Sequence, residues 1–88
     1  MQQDVFETEL NRADMSRSKP RRSSRGPRIP HAHDYDIRGL VLDGIFIVAQ
    51  DNKPVTYRAG DVFFVVAGTS HTEEIGPQGA KILVGRKY

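Results

Sequence analysis

The 88-residue sequence predicts an all-β fold of short antiparallel strands preceded by a short N-terminal helix. From Ile37 onward, short β-rich runs alternate with Asp/Asn/Gly/Pro turn signals at regular spacing. No stretch between those signals leaves room for the crossover helix of a parallel sheet. With 38% hydrophobic and 27% charged residues, the chain has the composition of one small globular domain.

Residues 1–15 form the first unit, with an amphipathic helix over 4–14. Asp4 suits the N-cap, Glu7 follows three positions later as in a capping box, and Phe6, Leu10 and Ala13 fall on one face. So short a helix with so narrow a stripe needs a surface to dock on. Residues 16–30 are the sharpest change in composition: six Lys/Arg, four Ser, three Pro and a single large apolar residue, Ile29. No strand or helix period fits them, and they read as a solvated basic linker. The third unit, 31–88, carries the strands. Ile37 to Leu42 and Ile45 to Ala49 flank Asp43-Gly44, a dipeptide suited to a two-residue type I′ hairpin. Asp51 to Pro54 is a second turn signal leading into Val55 to Arg58. Ala59-Gly60-Asp61 is a third, leading into Val62 to Val66. Ala67-Gly68 and Gly76 to Gly79 close the series before a last strand, Lys81 to Val84.

Charge and cysteine usage narrow the function classes. The net charge is +2, but residues 1–30 carry seven Lys/Arg against four Asp/Glu, whereas 31–88 carry six against seven. The basic character therefore belongs to the arm. A polyanion-binding role for that arm is open, but no aromatic is interleaved to stack on bases, and nucleic acid is not the expected partner. The absence of cysteine removes disulfides and thiol chemistry, leaving His, carboxylates, hydroxyls or a bound ion. The first fifteen residues hold four acidic groups and no apolar core of a signal peptide, and the longest apolar run, Val62 to Ala67, is too short to span a bilayer. The cytoplasm is the default location and no membrane partner is expected.

Two of the three histidines form His31-Ala32-His33. On an extended chain both rings project to one side, with Cα atoms about 6.6 Å apart, so the pair is able to grip one ion. His71, behind the turn at Ala67 to Ser70, is placed to bring a third imidazole from a neighbouring strand. For a lone His-x-His, a chance surface pair is the plainer reading.

The surrounding motifs are more specific. The stretch from His31 to Gly44 resembles the first signature motif of the cupin superfamily, with its two histidines, carboxylate and closing glycine. Gly60-Asp61 through Gly68-Thr69-Ser70-His71 resembles the second, in the right order. The resemblance implies a jelly-roll β-barrel holding a divalent transition metal through His31, His33 and His71. The ion would be Fe, Mn, Ni, Zn or Cu, since imidazole and carboxylate suit them all. The cupin carboxylate would fall at Ile37, so Asp36 is the candidate substitute, requiring a turn or bulge there. Glu73, which shares strand parity with His71, is the second candidate. Val66 replaces the usual proline.

The reaction implied is unassigned, a dioxygenase or isomerase acting on a small molecule. The alternative is a non-catalytic module that binds or senses a small ligand and carries a polyanion-binding arm. Cupins also place strand-forming sequence before the His-x-His motif, where this chain has its basic segment. The barrel is therefore expected to be incomplete at its N-terminal side; the helix could fold over the open edge or the barrel could stay open, and the expected arrangement is a homodimer in which a second copy pairs with that edge. Of Phe63-Phe64, one ring should enter the core and one should face out.

Overall fold

A computed structural model describes residues 1–23 and 32–88. The first element is a helix, α1 (Gln3–Arg12), followed by six strands among the described residues: β1 (Ser16–Arg17), β2 (Arg21–Ser23), β3 (Asp36–Gln50), β4 (Lys53–Arg58), β5 (Val62–Val65) and β6 (His71–Lys87). The two long strands pair antiparallel from Asp36↔Lys87 to Gln50↔His71 and form the spine. On the far side of β3 lie β5 and β4, end to end, pairing Ile37↔Val65 and Ile45↔Arg58. The gap between them is bridged by Val41 and its partners: the Val41 amide donates to the Asp61 carbonyl and the Gly60 amide to the Val41 carbonyl. On the far side of β6 lie β1 and β2. The result is a curled sheet, an incomplete jelly roll: the strand pattern predicted the antiparallel all-β architecture, and the cupin resemblance implied the jelly roll and its incompleteness.

Three local expectations are corrected. Asp43-Gly44 does not turn the chain: β3 runs through it, and the register with β6 shifts on either side. Gly44 takes φ 84°, and a Cβ there would collide with the Gly79 carbonyl. The dipeptide signals positive φ, and a bulge uses that freedom as readily as a hairpin. The hairpin lies at Asp51-Asn52, both with positive φ (54° and 61°), as a type I′ turn requires. Gly76 to Gly79 do not end a strand either. They bulge within β6, four residues against the single Ile45 of β3. Finally, the basic segment contributes β1 and β2. Edge pairing needs only backbone donors and acceptors, so Arg and Ser suffice where apolar alternation is absent. Residues 24–30 of that segment lie outside the described residues.

The sheet has two buried faces. Inside the curl, Ile37, Val41, Phe46, Val48, Phe63 and Val65 form the barrel core. Phe63 lies over Gly39, its partner across β3–β5, and meets Phe46 and Tyr57 with ring centroids 5.0 and 5.6 Å apart. Phe64 points the other way and is 44% exposed, so the expected split of the two rings holds. Outside, α1 covers the sheet: Phe6 and Leu10 are fully buried against Leu40 and Leu83. Leu10 seats directly on Gly85, where a Cβ would lie 2.5 Å from Leu10 Cδ2. The helix begins one residue earlier than expected, with Gln2 at the N-cap, while Asp4 accepts from the Val5 amide within the first turn. Asp14, at φ 56°, reverses the chain, and Arg17 of β1 pairs with Glu7 of α1 at 3.2 Å. Arg22 of β2 binds Asp43 at the β3 bulge, and its guanidinium holds that carboxyl below the usual carboxylate range. No helix among the described residues is long and apolar enough to cross a membrane.

Candidate functional site

The polar residues of interest gather at one end of the concave face, where β3 begins and β6 begins and ends. Parity puts them there: Ile37, Phe46 and Val48 point inward, so their cross-strand partners Arg86, Ile75 and Glu73 share that face. His71 follows the same parity through Gln50.

Two hydrogen bonds join the segments that carry the histidines. The turn Ala67-Gly68 precedes β6, and Gly68, at φ 81°, donates its amide to the His33 carbonyl at 2.9 Å. The Ala67 amide donates to Asp36 Oδ1 at 2.8 Å. The turn between β5 and β6 is thereby fastened to the approach to β3, and the His33 and His71 rings come within 5.4 Å, centroid to centroid, inclined at 50°.

His71 is only 2% exposed. Its Nδ1 lies 3.2 Å from the Thr69 carbonyl, an oxygen that can only accept, so Nδ1 carries the hydrogen. Nε2 then presents its lone pair on the side of Glu73, whose Oε1 is 3.6 Å away. A nitrogen lone pair and a carboxylate facing one another suit a shared cation, either a proton or a metal. The spacing agrees: donors bonded at about 2.0–2.2 Å to one ion lie about 3.0–3.7 Å apart at angles of about 90–120°. The ring separation agrees too. Two imidazoles on one ion put their centres about 5 Å apart, given bonds of about 2.1 Å.

The sequence candidates are therefore distributed unevenly. His33 and His71 are brought together, and Glu73 joins them. Asp36 lies on the opposite parity from inward-pointing Ile37, and its Oδ1 holds the Ala67 turn. His31 lies outside the described residues. Among those residues, no group of three or more His, Asp or Glu is placed to hold a metal ion.

Two further residues stand at the mouth: Tyr35, whose place beside the histidines in sequence suggests packing at the barrel mouth or lining of a pocket, and Arg86, which the sequence did not mark as a site residue. Tyr35 stacks on His33 with centroids 4.9 Å apart at 20°, and the Arg86 guanidinium stands over the Tyr35 ring at 5.8 Å. Arg86 was legible in principle, since it shares strand parity with inward-pointing Ile82 and Val84. Arg38 neither pairs with Asp34 or Asp36 nor enters the mouth. It lies over the outward Phe64 ring at 5.6 Å.

Comparison with known proteins agrees with this architecture. No curated protein matches the chain. A crystal structure of ethanolamine utilization protein Q (EutQ) from Salmonella typhimurium is 29% identical, with a TM-score of 0.58 over 66% of this chain and 46% of that one. KdgF from Halomonas sp. is 26% identical, with a TM-score of 0.60 over 76% of this chain and 65% of that one. Iron(II) HppE in complex with substrate is 18% identical, with a TM-score of 0.56 over 78% of this chain and 37% of that one, a likeness of fold alone. The chain thus spans less than two thirds of the length of each. The cupin domain family matches residues 19–84, reaching into the basic segment and covering both histidine motifs. With the jelly-roll topology and the paired motifs, this places the chain in the cupin family.

Proposed function

We propose that the protein is a metal-binding cupin whose divalent transition ion is held at the barrel mouth by His31, His33 and His71 with one carboxylate. The observation that carries the reading is the approach of His33 to buried His71, with the Nε2 lone pair of His71 and the Glu73 carboxylate on the same side. Glu73 is the favoured carboxylate, because it meets His71. Asp36 serves the turn that positions His33, and it remains the alternative ligand through its second oxygen.

An ion so held would act as a Lewis acid or bind a chelating substrate at its open positions. The chain's own residues do the rest: Thr69 fixes the His71 tautomer, Tyr35 holds the His33 ring by stacking, and the Ala67-Gly68 turn joins the two segments. A dioxygenase or an isomerase acting on a small molecule fits such a centre. HppE, which shares the fold, holds iron(II) with its substrate. The varied names among the relatives leave the reaction itself open.

A homodimer and a cytoplasmic setting go with this reading. The dimer is supported by β4, an edge strand exposed along nearly its whole length, with Val55 48% exposed. Elemental analysis of tag-free protein tests the central proposal. About one transition-metal ion per chain is expected in the wild type and a small fraction of that in His33→Ala and His71→Ala. Equal metal content in all three refutes it. A monomer by light scattering at high micromolar concentration refutes the dimer.

A further inference from the structure

We propose that Arg86 anchors a carboxylate-binding subsite at the mouth of the barrel, beside the histidine pair, and that the small-molecule ligand is an organic acid. Arg86 pairs with Ile37 across β3–β6, and Ile37 is buried in the barrel core, so the Arg86 side chain leaves the sheet on its concave face. The residue is half-buried. Its guanidinium lies over the Tyr35 ring at 5.8 Å, and Tyr35 in turn stacks on His33.

A cation–π contact at 5.8 Å does not occupy all five N–H donors of a guanidinium, so donors of the fork remain for an anion. Among the described residues no carboxylate pairs with Arg86. The neighbouring Lys87 is opposite Asp36, on the other parity. A cation turned inward and not ion-paired among the described residues calls for an anion from outside. The fork geometry selects a planar carboxylate, which accepts two parallel hydrogen bonds. Successive contacts of Arg86 with Tyr35, Tyr35 with His33 and His33 with His71 link this guanidinium to the paired imidazoles, so an anion held by it would lie near the histidine pair. Arg38 provides the contrast: it lies over Phe64 at 5.6 Å, but on the convex face.

The test is titration of metal-free, full-length protein with benzoate, followed by NMR shifts of the amides around Tyr35 and Arg86. Wild type is expected to bind with a Kd on the order of 1 mM. Arg86→Gln should weaken binding roughly tenfold to a hundredfold, the size of a lost charge-assisted contact. Arg86→Lys retains charge and stem, which protects the fold, yet should still weaken benzoate severalfold because the fork is gone. Arg38→Gln should leave binding unchanged. The proposal is overturned if wild type does not bind benzoate, if Arg86→Gln or Arg86→Lys binds within twofold of wild type, or if inorganic phosphate binds more tightly than benzoate. Because the titration is done without metal, its outcome stands apart from the metal reading.

Discussion

Replacing Gly39 with alanine probes the barrel core at its tightest point. Gly39 sits opposite Phe63 in the β3–β5 register, and a Cβ there would overlap Phe63 Cζ, Cε1 and Cε2. Its φ is not positive, so the backbone accepts alanine and the whole cost is steric. Phe63 is 4% exposed and wedged between Phe46 and Tyr57, so the ring has little space to withdraw into. Overpacking of this kind costs about 1–3 kcal/mol. Relief of glycine's excess backbone entropy returns about 0.5–1 kcal/mol. The net loss should be about 0.5–2 kcal/mol, or a Tm lower by roughly 2–16 °C for a domain of this size. Phe63→Leu alone should cost about 1–2 kcal/mol through the space it leaves. That space is where the alanine methyl goes, so Gly39→Ala/Phe63→Leu should be more stable than the sum of the single changes by about 1 kcal/mol or more. Urea unfolding followed by circular dichroism measures all four corners of the cycle. Additivity within about 0.3 kcal/mol would place the ring elsewhere and refute the packing described.

Leu10→Ala should cost about 2–5 kcal/mol, since Leu10 is fully buried on Gly85 and its loss opens a cavity between α1 and the sheet; a loss below about 1 kcal/mol would mean the helix does not dock there. Arg22 depresses the Asp43 pKa, so this pair stabilises the fold above the ordinary carboxyl range near pH 3.9 and ceases to do so as pH falls through the folded value. The stability gap between wild type and Asp43→Asn should therefore be constant above about pH 5 and shrink as pH falls below the ordinary carboxyl range, as read by unfolding midpoints; a gap that does not change with pH contradicts the pairing. Asp36→Ala removes the acceptor of the Ala67 amide, and the His33–His71 separation should become heterogeneous, visible as broadened imidazole resonances, while unchanged spectra would show that the turn is held by Gly68 alone.

Much of this was legible in the residues, and the exceptions share a cause. Alternation in Val62 to Val65 gave the inward and outward rings correctly, because a strand's side-chain period is fixed by covalent geometry. The signature spacing of His31, His33 and His71 led to the cupin resemblance, and the two described members of the trio do converge. Asp43-Gly44 and Gly76 to Gly79 were misread because glycine reports what φ is permitted, and whether a turn or a bulge uses it depends on the partner strand. Strands β1 and β2 escaped detection because they are held by backbone pairing to β6, which leaves no trace in side-chain pattern. Glu73 ranked below Asp36 in sequence because the motif offset pointed near Asp36, whereas the parity shared with His71 settles which carboxylate meets that ring. Arg86 was passed over as a site residue because it lies in a charged terminal stretch, although its parity with Ile82 and Val84 already pointed inward, as the β3–β6 register bears out.

Anomalous diffraction at the absorption edge of a bound transition metal, from crystals of the full chain, would locate the ion itself. One peak per chain is expected, with nitrogens of both His33 and His71 about 2.1 Å from it and a Glu73 or Asp36 oxygen at a similar distance. A peak bonded to neither imidazole, or no peak after equilibration with Fe, Mn, Ni, Zn and Cu in turn, would contradict a metal centre at the barrel mouth.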